Sequence, residues 1–77
     1  MESLEEIEQF ARYRSGLCAH AAKTVQAPER QIAWERMTSL WQNFVRALPS
    51  MTLAEAQTEV RRLQEIERIA RVSDTLH

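Results

Sequence analysis

The chain has 77 residues, 44% hydrophobic and 27% charged, with ten Lys or Arg against eleven Asp or Glu and a net charge of −1. That is one domain's length, too apolar for disorder and without the overall positive field that draws a protein to nucleic acid or an anionic membrane. One Gly and two Pro leave little material for loops that could wall a cleft, and one Cys rules out an internal disulfide. A single cysteine suits a reducing compartment. The acidic start Met1-Glu2-Ser3-Leu4-Glu5-Glu6 is the opposite of a signal peptide, and no apolar run reaches membrane-spanning length. A cytoplasmic protein with no membrane partner is expected.

Three segments of helical period follow one another. Ser3-Leu4-Glu5-Glu6 reads as a capping box, with the Ser3 hydroxyl accepting from the Glu6 N–H and the Glu6 carboxylate reaching back. Glu2, Glu5, Glu6 and Glu8 crowd the positive end of the helix dipole. At 100° per residue Leu4, Ile7, Phe10, Ala11, Leu17, Cys18, Ala21, Ala22 and Val25 fall within an arc of roughly 140°, so a helix is expected over residues 3–25. Gly16 lies on the polar side, where it weakens the helix by about 1 kcal/mol.

Pro28 fits the first turn of a second helix, where its missing N–H has no partner to lose. Pro49 ends that helix at or before Leu48, because the residue before a proline avoids the α region. Over residues 28–48, Ala33, Trp34, Met37, Leu40, Trp41, Phe44, Val45, Ala47 and Leu48 make a stripe roughly 160° wide, enough to touch two neighbours. This is the expected central helix. Trp34 and Trp41 read as its core aromatics.

Thr52-Leu53-Ala54-Glu55 is a second capping box and opens a helix over residues 52–73. Leu53, Ala56, Val60, Leu63, Ile66 and Ala70 are its inner stripe. Glu59 with Arg62, and Glu67 with Arg71, are spaced to pair along its surface for a few tenths of a kcal/mol each. Both connectors are only two or three residues long, so neighbours must run antiparallel. The expected fold is all-α: one domain over residues 1–77, a small antiparallel three-helix bundle going up, down and up.

Arg14 projects near the middle of the apolar arc of the first helix, where an unpaired guanidinium cannot stay. The first and third helices of such a bundle are parallel, and Glu67 and Glu59 lie in or beside the third helix's stripe. Arg14 is about 15 Å up its helix from Leu4, and Glu67 about 21 Å up from Leu53. A modest stagger joins Arg14 to Glu67 in an ion pair that sets register; otherwise Arg14 emerges at a partner or dimer interface. Ile69, Val72 and Leu76 follow i, i+3, i+7 spacing at about 120° or more from the inner stripe, and three large apolar residues on a charged face point to a contact surface.

The remaining constellations are weak. Cys18 and His20 point about 200° apart on a helix and cannot share an ion, and His77 stands at the chain end, so no metal site or cofactor is expected. There is no Gly-rich phosphate loop, no exposed nucleophile on a strained turn and no Glu-x-x-His pair, so no enzyme is expected. Arg61, Arg62, Arg68 and Arg71 form a possible basic surface. Glu55, Glu59, Glu65 and Glu67 offset it, and the preceding turn lacks the glycine common in helix-turn-helix motifs.

These readings converge on a small non-enzymatic protein–protein interaction module. A chain this short buries only about 63% of its surface alone, so a homodimer is expected, with Ile69, Val72, Leu76 and Arg14 as the candidate partner or dimer interface. In size and economy it resembles the short helical adaptors, chaperones and inhibitors of bacteria and their phages, an analogy of length and fold only. The alternative class is a DNA-associated transcriptional regulator using the third helix, which steep loss of duplex binding with salt would reveal.

Overall fold

The computed structural model describes residues 1–75. Its helices are α1 (Leu4–Thr24), α2 (Pro28–Ala47) and α3 (Leu53–Thr75), with a 3-10 turn over Leu48–Ser50 between the last two. Among the described residues there is no strand. The all-α three-helix bundle is thus formed, with helix ends within about two residues of the expected ones.

The end signals act as read, with one difference. Ser3 is extended and its hydroxyl accepts from the Glu6 N–H at 3.1 Å. The Glu6 carboxylate is held by that same hydroxyl, at 3.2 Å, in place of the Ser3 amide. The reciprocal box is complete at α3, where the Glu55 N–H donates to Thr52 Oγ1 at 3.2 Å and the Thr52 N–H to Glu55 Oε1 at 2.9 Å. The Thr52 amide holds the Glu55 carboxyl below its ordinary value. Pro28 stands at the first position of α2. Gln31 ties that end back to α1 by donating to the Val25 carbonyl at 3.0 Å.

Cross-helix contacts fix the directions. Gln57 meets the Met1 carbonyl and Arg14 meets Glu67, so α1 and α3 run the same way. Arg30 meets the Ser73 carbonyl and Trp41 meets Glu67, so α2 runs against α3. Up, down and up is the order of the chain.

The core is Ile7, Ala11 and Cys18 from α1, Trp34, Met37, Trp41, Phe44 and Leu48 from α2 and its following turn, and Ala56, Val60 and Leu63 from α3. Both tryptophans are core. The face of α1 differs from the expected arc: Ser15 is buried, and Phe10 and Leu17 are half-buried. The reason is volume. Large rings come from α2, so α1 turns its small residues Ala11, Ser15 and Cys18 toward them and large fits against small. Phe10 sits at the edge of this layer, its ring perpendicular to Trp41 at 5.9 Å, and Trp41 in turn meets Phe44 edge-on at 6.2 Å. Such edge-to-face pairs add to the area buried.

Gly16 is exposed, and a Cβ placed on it would meet nothing within 4 Å. Its only effect is the entropic cost of glycine in a helix. Gly16→Ala should raise stability by about 1 kcal/mol, seen as a higher urea midpoint at unchanged slope. A drop in midpoint would mean that the open space there is used.

Candidate functional site

Glu67 lies on the inner stripe of α3 and is only 3% exposed. A carboxylate removed from water needs donors to replace it, and each helix supplies some. From α1, Arg14 Nε donates to Glu67 Oε1 at 3.2 Å and the Cys18 thiol to the same oxygen at 3.3 Å. From α2, Trp41 Nε1 donates to Oε1 at 3.0 Å. From α3 itself, Arg71 Nε and Nη2 donate to Oε2 at 3.1 and 2.9 Å. Arg14 Nη2 closes an ion pair on Oε2. One carboxylate therefore ties together all three helices.

The Arg14–Glu67 pair forms as the stagger argument predicts, and the Arg14 side chain is 19% exposed. The Glu67–Arg71 pair is corrected: it is no surface pair, because α1 and α2 cover the acceptor while Arg71 reaches in from the rim. Arg71 is steadied from its other side, its guanidinium lying 5.6 Å from the centre of the Trp34 ring in a cation–π contact. Burial, and then the positive charge of Arg71, push the Arg14 guanidinium below its ordinary value. Burial pushes the Cys18 thiol up, against the opposing pull of the two arginines. The thiol is thus a neutral donor at physiological pH.

Sequence reasoning missed two members of this clasp, Trp41 and Cys18. A signal for Trp41 existed, since a buried indole N–H requires an acceptor and Glu67 is an acidic residue within the facing stripe. For Cys18 there was none, because a thiol packs equally well as a small apolar group.

The other singled-out residues lie outside the clasp. Ile69 and Val72 are 54% and 44% exposed on the side of α3 away from the core; Leu76 and His77 lie outside the described residues. Arg62 Nε donates to Glu59 at 2.7 Å, and Arg68 donates to Glu65 through Nε at 3.1 Å and Nη2 at 2.6 Å. The hydrogen bond from Arg68 holds the Glu65 carboxyl below its ordinary value. Arg61 is exposed. Arg61, Arg62, Arg68 and Arg71 are therefore not one uninterrupted basic face, since three of them are anchored to carboxylates of their own helix. Among the described residues no three His, Cys, Asp or Glu side chains gather as a metal set, and no helix is long and apolar enough to cross a membrane. No family model, curated protein or solved structure matches this chain.

The clasp is held by charge and hydrogen bonds drawn from three helices. Its parts should respond unequally to mutation. Glu67→Leu strands Arg14 and leaves the Trp41 and Cys18 donors without an acceptor, for about 3–5 kcal/mol of lost stability. Arg14→Leu leaves Glu67 three donors and should cost about 1–3 kcal/mol. The double variant should be more stable than Glu67→Leu alone. Urea denaturation of the set checks the order, and equal stability of wild type and Arg14→Leu would show that the pair sets nothing.

Cys18 should resist alkylation in the folded protein. Iodoacetamide should label it at least about a hundredfold more slowly in buffer than in urea, because reaction waits on opening of the bundle. Comparable rates read by mass spectrometry would place the thiol at the surface.

Proposed function

We propose that this protein is a non-enzymatic protein–protein interaction module, of adaptor, chaperone or inhibitor type, that works as a homodimer through the outer face of α3. The observation that carries this reading is the pair Ile69 and Val72, one turn apart and about half exposed among charged neighbours. Large apolar side chains grouped in water favour a covering surface. A two-fold axis supplies one with no second gene product, by laying the strip against its own mate.

The shape supports it. The bundle measures 38 × 18 × 15 Å with a radius of gyration of 12.9 Å, against about 11.5 Å for a compact chain of this length. Its accessible area is 5247 Å², where about 4,800 Å² is usual for the mass. A slender bundle keeps more surface wet than it need, and association recovers the difference. The pairing of Arg62 and Arg68 with carboxylates of their own helix breaks up a basic stripe, which favours a protein partner over the long run of phosphates in a DNA duplex. The buried free thiol of Cys18 fits a reducing cytoplasm.

Light scattering should show a dimer at tens of micromolar, and Ile69→Glu with Val72→Glu should shift it to monomer with far-UV circular dichroism largely unchanged. A monomeric wild type would overturn the homodimer and make the strip a site for a different protein. A double variant that stays dimeric would move the interface off α3. Steep, salt-sensitive binding to random duplex would favour the regulator reading instead.

A further inference from the structure

The clasp is charge-unbalanced on its outer side. Arg14 and Arg71 both spend their Nε and Nη2 groups on the single carboxylate of Glu67. Among the described residues nothing accepts from the Nη1 group of either. Both planes are held in place beforehand, Arg14 by partial burial and Arg71 by the Trp34 ring. Their outer sides line a groove between α1 and α3 of about 300 Å³, walled by Phe10, Arg14, Gln64, Glu67, Arg68 and Arg71.

We infer that this groove is a binding site for one carboxylate side chain of a protein partner, an aspartate or glutamate flanked by an apolar residue. Three features select that chemistry. The guanidiniums of Arg14, Arg68 and Arg71 face the carboxylates of Glu67 and Glu65, which leaves one net positive charge, the complement of a monoanion. A planar carboxylate matches guanidinium donors two at a time. The half-buried Phe10 gives the aliphatic stem, or an apolar neighbour, a wall to lie on. The volume suits a side chain and is too small for a strand or helix to enter whole. A phosphate dianion would exceed the available charge, and a nucleic-acid backbone would bring further phosphates toward Glu65. Because the donors are already ordered by the fold, little conformational entropy is lost when the acid arrives.

The inference extends the protein-binding reading and is independent of the dimer. The test is a titration of the ¹⁵N-labelled full chain with the blocked peptide acetyl-Leu-Glu-Glu-Phe-amide, following the Nε–H signals of Arg14 and Arg71 and the indole N–H of Trp34. Saturable shifts at these three positions are expected with Kd on the order of 1 mM. The peptide with Gln in place of Glu should bind at least about tenfold more weakly. Arg71→Gln should abolish the shifts at Arg14. Because that change also touches the clasp, Arg68→Gln, which contacts none of its atoms, should by itself weaken binding about threefold with an unchanged melting curve. Equal binding of the Gln peptide, shifts confined to other surfaces, or inorganic phosphate displacing the peptide better than acetate at matched ionic strength would each overturn the site. A dimeric wild type that ignores the peptide sinks the groove alone; a monomer that binds it sinks only the homodimer.

Discussion

A carboxylate cannot leave water without other donors taking its place, and the architecture of this protein is organised around meeting that demand for Glu67. The four side chains that serve it come from all three helices, so their positions are coupled through two oxygen atoms. The geometry admits one stagger of α3 against α1 and α2. A slide of one helical turn, about 5.4 Å, would carry the carboxylate away from Arg14, Cys18 and Trp41 together and leave each buried polar group without its partner. Apolar contacts are far more forgiving, because one Leu or Ala stripe packs against another in several registers. In a bundle this small the hydrophobic layer supplies the gain in free energy, and the clasp supplies uniqueness.

The packing around the clasp follows from an uneven division of volume. Helix α2 carries the rings, α1 answers with Ala11, Ser15 and Cys18, and α3 closes the layer with Ala56, Val60 and Leu63. The small face of α1 is also what brings Cys18 within reach of Glu67. Had α1 turned Phe10 and Leu17 inward beside Ile7, they would have held the helices apart at the level of Arg14. Phe10 instead lies at the margin, where it shields one edge of Trp41 and forms a wall of the groove beside Arg14.

Two surfaces emerge from one arrangement. On the side of α3 nearest α1, the two guanidiniums that satisfy Glu67 carry one positive charge more than it can neutralise, and that excess faces outward. On the far side, Ile69 and Val72 stand in water among charges. The thiol of Cys18 is buried beneath both. The charge that makes the core specific thus also underlies the proposed preference of the first surface for acidic partners.

Local signals wrote much of this protein legibly. The capping boxes at Ser3 and Thr52, Pro28 at a helix start and Pro49 after a helix end act within a few residues, so each helix could be placed from the chain alone. The short links then left an up-down-up bundle as the economical topology. Arg14 was legible too, because a guanidinium in an apolar arc demands a carboxylate, and parallel helices put Glu67 at nearly the right height. What the tertiary structure alone decided was rotation and coordination. An apolar arc tells which half of a helix is wet, but the residue at the centre of the core depends on the volumes offered by the partner helix, and so Ser15 went in while Phe10 and Leu17 stayed at the margin. The Glu67–Arg71 spacing is the same for an exposed pair and for a buried acceptor with a rim donor. Only the approach of α1 and α2 distinguishes them, because burial is a property of what lies across the gap and not of the helix that bears the residue.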